Sequence, residues 1–217
     1  MAGTGTAEGG TRADAVRNRR LLLDAAAAEF AEHGMDVPIA RIAARAGVGK
    51  GTVFRHFATK EQLLAAIFGH RLDELSAVGQ GLLDARDPGA ALLAFMTEGV
   101  RMQAGDRMFC QAVTALARTE PQLRAASERL IGVAEALTAR ARRAGSVRED
   151  ATGHDVVLLL GAATQAAAPL GGTLPGLWRR YVHMIFDGLR PGAAHPLPEP
   201  PPTTAQLAAA AKTSATS

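Results

Sequence analysis

Apolar residues recur at intervals of three and four along most of the chain, which is the spacing of one buried helix face. In the first such segment Leu22, Ala26 and Phe30 share a face, and Gly34 follows as a C-cap. No stretch predicts a strand. The pattern predicts an all-α fold of nine helices. Their approximate limits are 15–33, 39–46, 50–57, 60–75, 88–102, 107–118, 119–145, 155–168 and 176–189.

Side chains that can cap helices stand where several of these helices begin. Thr59 precedes the fourth helix, and Gln62 three residues later supplies the second half of a capping box. Asp87 followed by Pro88 predicts the start of the fifth helix, because proline is favoured at the first helical position. Thr152 marks the start of the eighth helix.

The chain divides into four segments by composition and helical pattern. Residues 1–14 are rich in Gly and Thr and are predicted to be a disordered tail. Residues 15–75 are predicted to form a small domain of three helices, together with the fourth helix that follows them, and its central motif spans 38–57. Residues 76–190 form a second, larger helical domain. Residues 191–217, rich in Pro, Ala and Thr, are predicted to be disordered because they lack core-forming side chains.

The central motif has the spacing of a helix-turn-helix. Such a motif needs a small residue where its helices cross, a glycine four residues later and an aliphatic residue six residues beyond. Ala43, Gly47 and Val53 occupy these positions. The predicted core of the motif consists of Ile42, Ala43, Gly47, Val53 and Phe57. An ordinary helical hairpin also uses a glycine turn, so the spacing alone leaves both interpretations open.

The distribution of positive charge indicates a nucleic-acid partner for one segment of the chain and not for the chain as a whole. The 217 residues carry 24 Lys and Arg against 21 Asp and Glu, a net charge of +3, so the whole chain does not require a polyanionic partner. Residues 12–60, however, hold nine Lys and Arg against five Asp and Glu. In a major groove Lys50 can donate to guanine, Thr52 can contact a base or phosphate, and Gly51 allows close approach. The same short helix also presents Arg55 and His56.

Two cations beside the motif, Arg41 and Lys60, are placed to hold phosphates, together with the amides that open the fourth helix. Arg45 is expected to be a solvated charge. The cluster of basic residues, rather than any single arginine, favours DNA over a simple hairpin.

The stretch from Gly47 to Thr52 superficially resembles a nucleotide-binding P-loop. A P-loop needs a further glycine where Ala44 stands, a Ser or Thr where Gly51 stands, and a preceding strand. Residues 39–46 are predicted to be helical instead. The sequence therefore excludes a P-loop.

Segment 19–68 resembles the N-terminal domain of TetR-family transcriptional regulators. The matching positions are Ala26, Phe30, Gly34, Ile42, Ala43, Ala46, Gly47, Val48, Gly51, Thr52, Val53, Phe54, His56, Phe57, Lys60 and Leu63. The resemblance implies a dimer whose recognition helices enter successive major grooves of a palindromic operator. It also implies a second domain that binds a small-molecule effector.

The resemblance implies DNA contacts at six positions. Those expected to contact bases are Lys50, Gly51 and Thr52. Those expected to contact the DNA backbone are Phe54, His56 and Lys60. Family members usually have Tyr where Phe54 stands, so a hydroxyl bond to phosphate is not expected here. Pro38 stands where Thr is frequent, and proline offers neither a hydroxyl nor an amide hydrogen. The C-terminal runs 145–163 and 178–191 are similar to the SbtR-type subgroup.

The last two predicted helices carry apolar stripes that suit dimerisation, the role this family gives them. The residues expected at the interface are Leu158, Gly161, Ala162, Trp178, Tyr181, Ile185 and Phe186. Alternatively, the stripes fill the subunit's own core. Helices four to seven are expected to enclose a pocket for an apolar or amphipathic small molecule. Its candidate lining residues are Phe68, Phe95, Gly99, Met102, Phe109, Cys110, Val113, Leu130 and Leu137. A dry packed core is the alternative at each position.

Little in the sequence suggests catalysis. Cys110 is the only cysteine, so an intrachain disulfide is excluded. The histidines lack the spacing of a metal site, and no nucleophile–base pair or cofactor motif occurs. We therefore expect no metal, no cofactor and no enzymatic activity. Neither a secretory leader nor an apolar run of about 20 residues is present, so a cytoplasmic protein without membrane contact is expected.

These features predict a DNA-binding transcriptional regulator, specifically a dimeric repressor of a palindromic operator that a small molecule releases. An activator or a regulator without a ligand fits the same sequence. A helical enzyme or a pure interaction module is a more distant alternative, and operator binding separates it from the others.

Overall fold

The computed structural model describes residues 7–34, 37–103, 113, 116–193, 195–203, 205 and 206. Within them the regular structure is helical and contains no strand, as the apolar spacing predicts. The α-helices are α1 (Ala7–His33), α2 (Ile39–Arg45), α3 (Lys50–His56), α4 (Lys60–Leu82), α5 (Pro88–Gln103), α6 (Pro121–Arg143), α7 (Gly153–Ala167) and α8 (Leu177–Gly188). The predicted helix at 107–118 falls mostly outside the described residues, which therefore contain eight helices rather than nine. None of these helices is long and apolar enough to cross a membrane.

Three described glycines end helices with a left-handed backbone that residues with a Cβ rarely adopt. They are Gly34, Gly47 and Gly145, with φ of +78°, +68° and +66°. After α2 the Gly47 amide donates to the carbonyl of Ala44 at 3.1 Å. The Val48 amide donates to the carbonyl of Ala43 at 3.0 Å. These two bonds form a Schellman motif, so backbone hydrogen bonds close the predicted turn between α2 and α3.

The predicted capping residues lie at helix starts, and one of them, Gln62, accepts a hydrogen bond from a different amide than predicted. The hydroxyl of Thr59 accepts a hydrogen bond from the Gln62 amide at 3.2 Å. The Gln62 side chain accepts from the Ala58 amide at 3.0 Å, rather than from the amide of Thr59 itself. At the start of α7, Thr152 and Asp155 form a complete capping box, in which each side chain accepts from the other's amide.

Two helices are longer than predicted. α1 begins at Ala7, inside the segment 1–14 that composition predicted to be disordered. Ala, Glu and Arg in this stretch are strong helix formers and outweigh its glycines. α4 continues to Leu82, past Leu75, the last apolar position predicted for it.

The C-terminal segment predicted to be disordered, 191–217, starts with a regular turn. Pro191–Ala193 form a short 3-10 helix, and the Arg148 guanidinium donates to the carbonyl of His195 at 2.7 Å. Disorder stays a prediction for residues 207–217, which lie outside the described part of the chain.

The chain forms two compact units that divide inside α4, between Ile67 and Phe68. The first unit contains α1, α2, α3 and the start of α4. Its core residues are each at most 4% exposed: Leu22, Ala26, Ile42, Val53, Phe57 and Leu63. This division differs from the sequence-based one because α4 contributes to both units, so the domain limits 15–75 and 76–190 stay predictions.

In the second unit α5 packs against α6, α7 and α8, and α7 packs against both α6 and α8. Its most buried large side chains include Leu92, Phe95, Leu137 and Leu160. Gly153, the first residue of α7, lies so close to α6 that a Cβ there would overlap the backbone of Glu135. The helices of this unit therefore pack closely at a defined crossing point.

Candidate nucleic-acid interface

Two short helices and the turn between them build the candidate site. α2 and α3 have seven residues each, too few to be stable alone, so their positions depend on burial against other helices. The apolar residues that the sequence predicts as the core are all at most 4% exposed: Ile42, Ala43, Val53 and Phe57. Gly47 supplies the turn. This packing leaves the polar side of α3 facing outward.

The outward surface of α3 consists of the exposed residues Lys50, Gly51, Phe54 and Arg55, flanked by half-buried Thr52 and His56. The Lys50 ammonium lies 5.9 Å from the centre of the Phe54 ring, within cation–π range. The Arg55 guanidinium donates to the Thr52 hydroxyl at 3.2 Å. These contacts restrain two cations without neutralising them. The surface therefore keeps positive charge for an anionic partner.

Gly51 and Phe54 show what this surface can approach. A Cβ at Gly51 would meet no atom within 4 Å, so the fold itself does not require a glycine there. Phe54 is 46% exposed and has no hydroxyl to donate to a phosphate, but its ring can pack against a thymine methyl group. The absent side chain and the exposed ring both fit close contact with a groove.

Two further cations rest on aromatic rings at the edge of the motif. The Lys60 ammonium lies 5.9 Å from the centre of the Phe30 ring, and the Arg19 guanidinium lies 4.6 Å from that of Phe57. Sequence reasoning selected Lys60 but missed Arg19. The signal was present, because Arg19 shares the helical spacing of Leu22 and the other buried residues of α1.

Arg41 and Arg45 are exposed, but both form ion pairs with α1. The Nε of Arg41 donates to Glu29 at 2.6 Å, and its Nη2 lies 2.7 Å from the Nε2 of His33. Arg45 binds both carboxylate oxygens of Glu32, at 2.7 and 2.8 Å. Arg45 is exposed, as expected of a solvated charge, but it is also ion-paired, because α1 places two carboxylates beside it. The phosphate contact expected of Arg41 stays a prediction and faces a competing ion pair.

The shared carboxylates keep this group charged. Burial raises the pKa of Glu29, but hydrogen bonds from Arg45 and Arg41 outweigh it and bring the pKa below the usual 4.5. Hydrogen bonds from Arg45 likewise lower the pKa of Glu32. The same bonds to Glu32 and Glu29 raise the pKa of Arg45. At neutral pH this group is thus a network of full charges that ties α2 to α1.

Two protein families match separate parts of the chain. Residues 22–67 match the family described as bacterial regulatory proteins, tetR family. Residues 87–191 match the C-terminal domain of SbtR-like transcriptional regulators.

Solved structures agree over most of the chain. A TetR transcription regulatory protein from Mycobacterium vanbaalenii is 37% identical, with 83% of this chain and 99% of that one covered and a TM-score of 0.60. The chain belongs to the TetR family of transcriptional regulators. The TetR regulator SCO0520 from Streptomyces coelicolor is 28% identical, with coverage of 80% and 98% and a TM-score of 0.62. SmeT, the repressor of the Stenotrophomonas maltophilia multidrug efflux pump SmeDEF, is 28% identical, with coverage of 85% and 97% and a TM-score of 0.55.

Membership of the TetR family confirms the resemblance drawn from the sequence, including its SbtR-type C-terminal part. It also confirms the helix-turn-helix, rather than a simple hairpin, as the interpretation of α2 and α3. The chain is a DNA-binding transcriptional regulator, and its family and fold point away from an enzyme.

One group of side chains in the described part of this TetR-family chain has the composition of a metal site. Ligand-type atoms of Glu29, Glu32 and His33 lie within 4.8 Å of one another. Arg41 and Arg45 already bind these carboxylates, and their positive charges oppose a further cation. The arrangement is an ion-pair network, not a metal centre.

The residues predicted for an effector pocket are mostly packed. Phe68, Phe95, Leu130 and Leu137 are at most 4% exposed, and a Cβ at Gly99 would collide with the side chain of Leu160. Met102 and Val113 are half-buried, while Phe109 and Cys110 lie outside the described residues. At Gly99 the side chain of Leu160 from α7 occupies the space that a Cβ would need, which favours the dry-core alternative without excluding a pocket beside it. For the others the pocket stays a prediction.

An open hollow of about 550 Å³ lies elsewhere in the second unit, at the start of α5. Its lining includes Leu93, Ser146, Phe186, Arg190 and Asp87. The Asp87 carboxylate accepts a hydrogen bond from the Ala90 amide at 3.0 Å. Asp87 therefore caps the start of α5, where the sequence predicted the helix to begin. Sequence reasoning did not select this hollow, since its walls come from helix ends rather than apolar stripes.

The residues predicted for a dimer interface separate into two groups. Trp178 and Phe186 are 6% and 5% exposed, so they fill the subunit's own core. The remaining residues lie partly or fully at the surface of α7 and α8: Leu158, Gly161, Ala162, Tyr181 and Ile185. Met184, 55% exposed, joins them and was missed. Its position at helical spacing from Tyr181 was the available signal.

Proposed function

We propose that this chain is a dimeric repressor that binds a palindromic operator and is released by a small molecule. The observation that carries the proposal is the outward surface of α3, where cations surround a glycine with open space above it. Such a helix suits the major groove, in which Lys50 and Thr52 reach base edges. Because its target is operator DNA, we place the protein in the cytoplasm.

Phosphate contacts are proposed to flank these base contacts. Arg55, His56 and Lys60 follow one another along the end of α3 and the start of α4. Lys60 is held over Phe30 before DNA arrives, which reduces the entropy lost when it binds a phosphate.

The dimer is proposed to form through α7 and α8. Leu158 is 52% exposed and Met184 is 55% exposed, and Ala162 is exposed one turn beyond Leu158. Large apolar side chains left in water at helical spacing favour a partner helix pair. A symmetric pair of subunits would then present two copies of α3 to successive grooves.

A small apolar or amphipathic molecule is proposed as the effector, held in the second unit. SmeT, at 28% identity, is the repressor of a multidrug efflux pump, which supports repression as the mode of action. A ligand needs only about 1–3 kcal/mol of preference for the non-binding conformation to control DNA affinity. An operator affinity unchanged across a broad ligand panel would instead favour a regulator without a ligand, and gene activation at the operator would favour an activator.

Genomic footprinting followed by binding assays on the operator tests the proposal. Lys50→Ala is expected to lower operator affinity by roughly 1–3 kcal/mol while affecting unrelated DNA less, because Lys50 contacts a base. Lys60→Ala is expected to weaken binding to all DNA alike and to reduce the salt slope by about one, because Lys60 contacts a phosphate. Wild-type affinity in both variants would refute this assignment of contacts.

A further inference from the structure

Glu29 is a charged residue that is buried, with 5% of its surface exposed. Its side chain is 6% exposed, and both of its oxygens are used. One oxygen accepts from Arg41 at 2.6 Å and the other from Arg45 at 3.2 Å. Since a charge is costly to bury without partners, these guanidiniums and Glu29 hold one another in place.

Arg41 has a second acceptor on α1. Its Nη2 lies 2.7 Å from the Nε2 of His33, and because a guanidinium has only donors, the bond forms in the tautomer whose Nε2 is the acceptor. Two acceptors thus direct the guanidinium towards α1, although the Arg41 side chain is 54% exposed. A DNA phosphate that uses Arg41 has to draw it away from both.

We propose that Glu29 is a positioning residue that withholds Arg41 from DNA phosphates and so limits sequence-independent binding. The inference rests on the proposed function, since it requires that α2 and α3 lie on DNA. Phosphate contacts strengthen binding to every sequence, whereas base contacts strengthen binding to the operator alone. A cation held back in the free protein therefore lowers the sequence-independent part of the affinity.

Glu32 provides a matched control within the same helix. It carries the same charge three residues from Glu29, but its two oxygens bind Arg45, at 2.7 and 2.8 Å. Neutralising Glu32 removes a negative charge from the same neighbourhood without releasing the hydrogen bond that holds Arg41. A general effect of charge and a specific release of Arg41 can thus be separated.

The test measures the salt dependence of affinity for a short random-sequence duplex by fluorescence anisotropy. The proteins are wild type, Glu29→Gln, Glu32→Gln, Arg41→Ala and the double variant Glu29→Gln with Arg41→Ala. Glutamine keeps the shape and an acceptor oxygen but loses the charge. We expect Glu29→Gln to bind this duplex more tightly, with a salt slope steeper by about one per subunit. We expect Glu32→Gln to keep the wild-type slope, and Glu29→Gln to have no effect on the slope when Arg41 is absent.

An unchanged or shallower slope in Glu29→Gln overturns the proposal. The proposal is also overturned if Glu32→Gln steepens the salt slope as much as Glu29→Gln does, or if Glu29→Gln steepens it when Arg41 is absent. Thermal unfolding followed by circular dichroism checks each variant's fold. If Glu29→Gln does not fold, His33→Ala is measured instead, because His33 is exposed and is the other acceptor of Arg41. His33→Ala is expected to steepen the salt slope, by less than about one per subunit. An unchanged slope in His33→Ala would then overturn the proposal. A wild-type protein that binds no DNA refutes the proposed function as well. If the wild type binds DNA and Glu29→Gln has the same salt slope, this inference alone is refuted.

Discussion

At the scale of single residues, the position of Gly51 separates what the fold needs from what a partner needs. Elsewhere a glycine is required by the chain itself, as at Gly47, where φ is +68°. Gly51 has neither a positive φ nor a close neighbour. The fold therefore does not require this glycine, and the proposed approach of DNA gives a reason for it that a substitution can test.

Gly51→Ala is expected to stabilise the fold by up to about 1 kcal/mol, because alanine is the better helix former. It is expected to weaken operator binding, because the new methyl group stands on the surface that enters the groove. Gly132→Ala is the control, since Gly132 lies inside α6 with open space around it. Thermal unfolding and operator titration of both variants decide the matter. Undiminished operator affinity in Gly51→Ala would show that the DNA lies elsewhere.

Glu29 also predicts how the fold responds to acid. Burial raises its pKa, but hydrogen bonds from Arg45 and Arg41 outweigh this and leave it below 4.5. A carboxyl whose pKa is lower in the folded state binds fewer protons there than in the unfolded chain. Its stabilising effect is therefore present above the unfolded pKa and is lost as the pH falls through the folded one. Glu32, whose pKa is also lowered, acts in the same direction.

We expect the unfolding temperature of the wild type to fall more steeply below about pH 4.5 than that of Glu29→Gln, which has no such proton to gain. Thermal scans at a series of acidic pH values measure this difference. Parallel curves for the two proteins would mean that the Glu29 ion pairs do not contribute to stability.

At the scale of helices, the start of α7 joins two kinds of interaction. Thr152 and Asp155 cap the helix, while the Gly153 amide donates to the Glu135 carboxylate at 2.6 Å. That carboxylate also accepts from Arg142 at 2.7 Å. Capping, close packing and an ion pair thus coincide where α7 meets α6.

Gly153→Ala is expected to destabilise the second unit by about 1–3 kcal/mol, because the added methyl group would overlap the backbone of Glu135 and the helices would have to separate. Chemical denaturation gives the magnitude. Gly132→Ala again serves as the comparison, with a change of opposite sign. A Gly153→Ala protein as stable as wild type would mean that α6 and α7 can move apart freely.

Helix ends were predictable from the sequence because their causes are local. The φ of Gly47 and the cap at Thr152 each depend on neighbours within a few residues. Long-range partners were not predictable. The ion pair of Arg45 was not predictable because Glu32 lies 13 residues away along the chain. Trp178 and Met184 lie on the same amphipathic helix, yet one is buried and the other exposed. Periodicity identifies a stripe, but the neighbouring helices decide which part of it they cover.

At the scale of the whole molecule, the proposed function depends on an assembly. The proposed dimer uses an exposed apolar surface formed by residues of α7 and α8, chiefly Leu158, Ala162, Tyr181, Met184 and Ile185. Beneath this surface Trp178 and Phe186 are already buried within one subunit. A single subunit should therefore fold even when the dimer is broken.

Leu158→Glu combined with Met184→Glu is expected to give a folded monomer, because the buried charges would make association unfavourable. The monomer should lose most of its operator affinity, since two half-sites can no longer be bound at once. Size-exclusion chromatography with light scattering measures the mass. Val78→Glu, which alters an exposed apolar residue on α4, should remain dimeric. A double variant that stays dimeric would place the interface on another surface.

The position of Trp178 has a practical consequence for spectroscopy. The chain contains one tryptophan and one tyrosine, and both lie on α8, with the indole stacked against the Arg179 guanidinium at 4.5 Å. Intrinsic indole and phenol emission therefore reports a single helix of the second unit, while the unit that carries α3 emits nothing at these wavelengths. Circular dichroism, in contrast, sums over every helix. If the two signals were followed together during denaturation, non-coincident transitions would show that the units unfold separately. An emission change on adding DNA would have to originate at α8.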